Sequence, residues 1–202
     1  MKNLLNYTSW GLGLLESEDE KKILAQLPPP ISADQFAEEI GLYPQDARKY
    51  SRLWERIRPG YKIHYFPFKS NNPILGCFFY DKDVCVNRNV PIPPLVKAFI
   101  ALHESRHCQQ YQDGIIEKGY FTTAVEGDKE DFLVNYRQLE EDANNFALDS
   151  LSEGGFENFV LQEGPRLKGN ENMGPQVYHM MREDIKKTGA TTFADLLAFQ
   201  IL

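Results

Sequence analysis

The feature that most constrains this chain is the segment 103–107, which reads H-E-S-R-H and so fits the pattern H-E-x-x-H. On a helix, residues four apart lie on the same face, so His103 and His107 can direct two imidazole rings toward one point. Zinc accepts imidazole nitrogens at about 2.0–2.1 Å in a tetrahedral shell, which leaves room for a third protein ligand and a water. Glu104 adjoins the first histidine and is placed to accept a proton from that water. The pattern therefore predicts a zinc site of the hydrolytic kind.

The sequence around the motif is typical of a buried helix. Leu95–Tyr111 contains no glycine or proline, Pro93-Pro94 precedes it, and Asp113-Gly114 follows it as a stop. Its first half is apolar nearly all round, which indicates a helix enclosed by the rest of the fold. Two histidines on such a helix also occur as an ordinary hydrogen-bonded core feature. The chain has only 4 histidines, however, and half of them lie in this motif, which favours metal binding.

Length and composition are those of an ordinary globular protein. The 202 residues suffice for one domain with a core. The net charge of −7 argues against a general nucleic-acid or anionic-membrane binder, because such proteins present a basic surface. No signal peptide is predicted, and no stretch reaches the ~18 apolar residues of a membrane span. The 3 cysteines do not suggest a disulfide framework. We therefore expect a cytoplasmic protein without a membrane partner, and nucleic acid is not an expected partner either.

Local patterns predict both helices and strands, and therefore the α+β class. Residues 1–58 are interpreted as a helical N-terminal segment, and 59–202 as the main domain, with its motif core at 60–152 and a C-terminal helical extension at 153–202. The predicted strands are Tyr61–Phe66 and a hairpin of Leu75–Tyr80 with Val84–Val86. The predicted helices after the motif are Asp131–Leu151, which is clearly amphipathic, Gln176–Lys187, and a last one that begins at Thr192.

Residues 32–50 allow two interpretations. Phe36, Ile40 and Gly41 fall where a helix-turn-helix has its packing residues and its turn glycine, after a plausible cap at Ser32. The second helix carries basic residues, as a recognition helix does: Arg48, Lys49, Arg52, Arg56 and Arg58. Neighbouring acidic residues cancel that charge. We therefore favour an αα-hairpin that packs on the rest of the chain.

A catalytic zinc usually has three protein ligands, so the chain must supply one more. A third histidine at the spacing H-E-x-x-H-x-x-G-x-x-H is excluded, because Gln110 and Asp113 occupy those positions. Nothing in the surrounding sequence supports Cys77 or Cys85 as a ligand, and both are expected as small buried strand residues. The remaining option is a carboxylate on the helix 131–151, which gives a His-His-Glu site.

Two adjacent glutamates compete for this role. Glu140 lies on the helix face of Ala143 and Ala147, whose small side chains let a second helix approach closely. Glu141 is turned about 100° away, given ~3.6 residues per turn, and is expected in solvent. We favour Glu140 over Glu141. Asn144, one turn later, is predicted to hydrogen-bond the second nitrogen of a ligand histidine and hold its ring.

The segments H-E-S-R-H at 103–107 and E-E-D-A-N-N-F-A at 140–147 resemble the glutamate-zincin (gluzincin) metallopeptidases. They are most similar to the small cytoplasmic ImmA/IrrE-type proteins, which carry H-E-x-x-H on one helix and E-x-x-A-N-x-F-A on the next. The resemblance covers about residues 60–152. It implies a minimal gluzincin core, with a small twisted sheet packed on the motif helix and the glutamate helix behind it. It also implies Zn2+ bound by His103, His107 and Glu140. Glu104 is then the general base.

These features lead to one main hypothesis and two alternatives. The main hypothesis is a zinc-dependent peptidase whose substrate pairs with a strand edge. A donor to the transition state is also expected; Tyr178 and His179 are the candidates, although we favour both as surface residues. The first alternative is a regulatory or interaction protein that keeps the zincin fold but has little general protease activity. The second is a purely structural zinc whose fourth ligand is a residue such as His64, otherwise expected as a half-exposed strand residue.

Overall fold

The structure is a computed structural model that describes residues 25–68, 74–79, 82–113, 124 and 126–190. The helices are α1 (Ala33–Glu39), α2 (Pro44–Ile57), α3 (Pro94–Gln112), α4 (Lys129–Glu153), α5 (Glu157–Leu167), a 3₁₀ helix (Lys168–Asn172) and α6 (Gly174–Thr188). The strands are β1 (Lys62–Phe66), β2 (Gly76–Phe79) and β3 (Asp83–Asn87). The predicted α+β class is confirmed. Among these residues, no helix has the combination of length and apolar character that crossing a bilayer needs.

The three strands form one mixed sheet in the order β1-β3-β2. The predicted hairpin is present, because β2 pairs antiparallel with β3 in a register that sets Cys77 opposite Cys85. The first predicted strand, β1, pairs parallel with β3 on its other side. Almost every residue of the sheet is buried, so strand burial here reflects cover on both faces rather than an alternation of inside and outside.

Helices α1 and α2 form a hairpin that packs into the core. The predicted cap is present, because the Ser32 hydroxyl accepts from the Gln35 backbone N–H in a capping box. The turn needs Gly41, whose φ of +87° is costly for other residues. Phe36 and Trp54 are fully buried in the cluster that also contains the first half of α3. These contacts explain the hairpin by packing alone.

One residue assigned above to a basic recognition face does not belong there. Arg58 is buried, and its guanidinium donates to Ser105 Oγ (2.9 Å) and Gln109 Oε1 (3.0 Å) of α3. It also stacks over the Phe146 ring at 4.2 Å from the ring centroid. Arg58 therefore links the N-terminal hairpin to the motif helix by hydrogen bonds. It does not contribute to a basic surface, which has fewer basic residues than the sequence indicated.

The two predicted motif helices pack side by side. The motif helix is α3 and is buried along nearly its whole length, as expected. Helix α4 lies against it and includes the fully buried Ala143 and Ala147. The predicted helix Gln176–Lys187 corresponds to α6, which is two residues longer at its N-terminal end. The expectations for residues 1–24 and for a helix from Thr192 lie outside the described residues.

Candidate metal centre

Three side chains from α3 and α4 converge on one buried point. The Nε2 atoms of His103 and His107 lie 2.9 Å apart. Glu140 Oε2 lies 3.4 Å from His103 Nε2, and Glu140 Oε1 lies 3.5 Å from His107 Nε2. All three side chains are buried. Glu141, the competing carboxylate, is exposed on α4, so the structure places Glu140 and not Glu141 beside the histidines.

The spacing of these atoms fits a metal ion. In a tetrahedral shell with bonds of about 2.0–2.1 Å, neighbouring ligand atoms lie about 3.3 Å apart. The observed separations of 2.9, 3.4 and 3.5 Å lie around that value. Within the described part of the chain, no other group of three histidine, cysteine or acidic side chains brings its ligand atoms this close together. A buried His-His-Glu group of this kind can hold a metal ion.

Glu104 supplies a second, independent feature of the site. Its side chain is fully buried, and neither carboxylate oxygen has a hydrogen-bond partner among the described residues. Burial, and then the proximity of Cys77 and Glu140, raise the pKa of this carboxyl well above its ordinary value. A buried carboxyl without a partner is costly to maintain. Its oxygens are those expected to meet a water at an adjacent metal.

The position of Glu104 depends on the close approach of β2. A Cβ atom built on Gly76 would lie 2.7 Å from Ile100 Cγ2, 2.9 Å from Glu104 Cγ and 3.0 Å from the Cys85 carbonyl oxygen. Only glycine therefore allows the strand to lie this near to α3. The sequence reasoning missed Gly76, although a lone glycine at the start of an apolar strand is a recognised signal of close backbone approach.

Burial and charge set opposite protonation preferences within the cluster. Burial, and then the neighbouring His107 ring, lower the pKa of His103, so its ring is neutral at neutral pH and can offer a lone pair. Burial alone would raise the pKa of Glu140. Hydrogen bonds from His103 and His107, and the charge that these rings carry when protonated, outweigh that effect and lower the pKa of Glu140 to about 2. The cluster therefore presents an ionised carboxylate beside an imidazole, which are the forms that bind a cation.

A series of hydrogen bonds that begins at Nδ1 orients the His107 ring. Its Nδ1 lies 2.8 Å from Gln110 Oε1, an acceptor, which assigns a proton to Nδ1 and directs Nε2 toward Glu140. Gln110 is fully buried, and its amide nitrogen donates to Asp142 Oδ2 at 2.6 Å. Asp142 in turn accepts from Arg106 at 2.7 and 3.2 Å. The sequence reasoning missed Gln110 as a support, although its position three residues after His107 was a usable signal.

The two residues between the motif histidines, Ser105 and Arg106, also make hydrogen bonds to other helices. Arg106 holds Asp142 on α4 by two hydrogen bonds, and Ser105 accepts from Arg58 at the end of α2. Both residues therefore connect the motif helix to its neighbours. Alanine or an aliphatic residue at these positions cannot make such bonds.

The carboxylate side of the site is held by a part of the chain that the sequence reasoning did not connect with it. Asn170, in the 3₁₀ helix, donates from Nδ2 to Glu140 Oε2 at 2.7 Å. Asn144 is fully buried, and its amide nitrogen donates to Asn170 Oδ1 at 2.6 Å. Asn144 also raises the pKa of His103, which opposes the lowering by burial, but its Oδ1 has no hydrogen-bond partner among the described residues. The predicted support residue thus lies between the histidine side and the C-terminal segment.

Other predicted site residues lie elsewhere. The expectation that His64 is half-exposed is wrong, since the residue is buried. Its Nδ1 lies 2.8 Å from the Pro28 carbonyl oxygen, and its Nε2 lies 2.7 Å from Asp83 Oδ1. With both nitrogens engaged, His64 is not a fourth ligand in this structure.

Tyr178 packs its ring against Phe132, and His179 is exposed on α6. Neither is among the residues that the structure brings to the cluster.

The cysteines behave as small core residues. Cys77, Cys85 and Cys108 are all free and buried. Burial raises the pKa of Cys85 well above its ordinary value and that of Cys108 to about 12. Cys85 and Cys108 therefore stay as neutral thiols, and none of the three cysteines joins the group of metal-binding residues.

Comparison with known proteins gives no assignment: no family model, curated protein or solved structure matches this chain.

Proposed function

We propose that this protein is a zinc-dependent metallopeptidase, with His103, His107 and Glu140 as the zinc ligands and Glu104 as the general base. The observation that supports it best is the meeting of three ligand atoms beside a buried carboxylate whose oxygens have no partner in the described part of the chain. Two imidazoles and one carboxylate are a ligand set that catalytic zinc sites use, with a further position left for water.

The proton-transfer role falls to Glu104. Zinc held by His103, His107 and Glu140 would lower the pKa of a coordinated water and polarise the scissile carbonyl. The positive charge of a metal at this site would favour the ionised form of Glu104, against the raising effect of burial. The carboxylate would then accept a proton from a water at one Oε atom and deliver it to the nitrogen of the leaving amine. Its enclosure by α3 and β2 keeps bulk water away from the carboxyl group, which preserves its orientation during both transfers.

The sheet offers a way to align an extended peptide. Strand β2 is at the edge of the described sheet, and its first residue, Gly76, adjoins both Ile100 and Glu104. A peptide that pairs with this edge would pass beside Glu104, with main-chain hydrogen bonds supplying alignment. We therefore expect an unfolded or extended protein segment as the substrate. The 3 free, buried cysteines suit work in a reducing compartment such as the cytoplasm.

Metal content and cleavage, measured on the same preparations, test the proposal. The purified chain should bind one zinc and cleave an unfolded protein such as casein, or a fluorogenic peptide library. Glu104→Gln should retain the zinc and lose cleavage by at least about 100-fold, the scale of general acid–base catalysis. Glu141→Gln is a matched control and should leave both unchanged, because that side chain is exposed. A chain that takes up no zinc from solution, yet is folded, contradicts the proposal.

The burial of the cluster favours one alternative function. His103, His107, Glu104 and Glu140 are all at most 3% exposed, whereas a peptidase must admit a substrate to its metal. A regulatory or interaction protein that keeps a zincin-like site with little general protease activity would be closed in this way. Stoichiometric zinc without cleavage of any substrate in the library would support this alternative.

A further inference from the structure

The C-terminal extension reaches the metal centre through the 3₁₀ helix Lys168–Asn172. This helix packs against α4, and Asn170 on it contacts Glu140 directly across 30 residues of sequence. Nothing in the motifs themselves calls for this contact. It gives residues after 153 a place in the site.

The orientation of the Asn170 amide is fixed by its surroundings. Its Nδ2 faces Glu140 Oε2 at 2.7 Å, and an ionised carboxylate can only accept. Its Oδ1 faces the Asn144 amide nitrogen at 2.6 Å, which can only donate. Both contacts require the same assignment of nitrogen and oxygen. Asn170 is therefore a donor to Glu140.

The 3₁₀ helix is tied to α4 at several further points. Tyr136 Oη lies 3.2 Å from the Asn170 carbonyl oxygen, and Asn144 Nδ2 lies 3.2 Å from Glu171 Oε1. Lys168 donates from its ammonium group to Asn145 Oδ1. These bonds hold the backbone of residue 170 in place, so its side chain meets Glu140 at a set position.

We propose that Asn170 is a positioning residue of the metal centre, which holds the Glu140 carboxylate toward His103 and His107 by a hydrogen bond to Oε2. A hydrogen bond to a buried charged oxygen is stronger than one between neutral groups, and it restricts rotation of the carboxylate. The donor is a neutral amide, so it steadies the carboxylate without adding a positive charge that would repel a cation. This role rests on the metal centre of the proposed function, but not on peptide cleavage.

The test is the zinc affinity of the full-length chain after metal removal, measured by competition with a chromogenic chelator. Asn170→Ala should weaken zinc binding by about 10-fold or more, as loss of partners behind metal ligands commonly does. Asn172→Ala, on the same 3₁₀ helix but exposed, is the matched control and should stay within about twofold of the wild type. The visible spectrum of the Co2+ form should change with Asn170→Ala and not with Asn172→Ala.

A double-mutant cycle separates positioning from general stability. If Asn170 acts through Glu140, Asn170→Ala should cost little further affinity in a Glu140→Gln background. Equal zinc affinity in the wild type and Asn170→Ala overturns the positioning role, as does an equal loss in both backgrounds. Asn170→Leu keeps the number and branching of the side-chain heavy atoms while removing the donor. If it and Asn170→Ala both unfold while Asn172→Ala folds, the residue is structural and the proposal fails. A folded wild type that binds no zinc overturns the proposed function as well, which distinguishes the two failures.

Discussion

The two sides of the candidate metal centre are held by different parts of the chain. On the histidine side, His107 is supported by Gln110 and Asp142, which belong to the same two helices as the proposed ligands. On the carboxylate side, Glu140 is supported by Asn170, which comes from a short 3₁₀ helix beyond α5. The support of His107 therefore comes from the packing of α3 on α4. The support of Glu140 depends on the position of the 3₁₀ helix relative to α4.

This difference has a consequence for stability. Gln110 is fully buried and bonded on both sides of its amide, so its removal leaves polar groups without partners inside the core. Asn170 is only half-buried and lies on a short element. The histidine side should therefore couple metal affinity to folding, and the carboxylate side should couple affinity mainly to the C-terminal segment.

The largest expected effect comes from removing a ligand on the histidine side. His107→Ala should abolish zinc binding, and with it the stabilisation of about 4 kcal/mol that zinc gives at 1,000 times its Kd. The shift of the thermal midpoint on adding zinc measures this. His179→Ala, an exposed histidine on α6, is the control and should keep the full shift. A full shift in His107→Ala would place the metal elsewhere.

The next effect compares the two supports directly. Gln110→Ala should weaken zinc binding by about 10- to 100-fold and also lower the free energy of unfolding of the metal-free chain by about 1–3 kcal/mol, because partners of Gln110 lose their bonds. Urea unfolding of the metal-free chain gives the second quantity. Gln112→Ala, exposed at the end of the same helix, is the control. Unchanged stability in Gln110→Ala would remove the distinction drawn between the two sides.

Packing rather than hydrogen bonding places Glu104, and two glycines test this. Gly76→Ala should destabilise the fold by about 1–3 kcal/mol, because the new Cβ meets Ile100, Glu104 and backbone at 3.0 Å or less. Gly164→Ala, whose new Cβ meets no atom beyond its chain neighbours closer than 3.6 Å, should change stability by less than about 1 kcal/mol, because the gain in helix propensity is opposed by the following Pro165. Urea midpoints measure both, and an effect of Gly76→Ala no larger than that of Gly164→Ala would contradict the tight approach of β2.

The smallest effect concerns the ion pair at the outer end of the histidine support. Burial alone would raise the pKa of Asp142, but hydrogen bonds from Arg106 and Gln110 outweigh it and lower the pKa. The resulting stability is present above the unfolded-state pKa of about 3.9 and is lost as the pH falls through the folded-state value. The pair is partly exposed, so the contribution is under about 1 kcal/mol.

Unfolding midpoints between about pH 6 and pH 3 give this contribution as the difference between the wild type and Asp142→Asn. That difference should shrink as the pH falls. Asp149→Asn, an exposed position on the same helix, should show no such trend. A difference that grows toward acid pH has the wrong sign for a lowered pKa.

The comparison also shows which parts of the site a sequence can predict. Helices α3 and α4, and the facing of Glu140 toward the histidines, follow from periodicity and from small residues at 143 and 147, all of which are local properties. Asn170 could not be predicted, because its contact with Glu140 depends on the path of α5 and on a 3₁₀ helix with no periodic signal. The burial of His64 was missed for a similar reason. Its partners, Pro28 and Asp83, become neighbours only when the sheet forms.

The most direct test of the central claim is a zinc-soaked crystal structure with anomalous diffraction collected at the zinc absorption edge. We expect one strong anomalous peak bonded to His103 Nε2, His107 Nε2 and a Glu140 oxygen at about 2.0–2.2 Å, with Asn170 still donating to the carboxylate. An ion bound away from these three residues, or a Glu140 side chain turned away from the ion, would contradict the account.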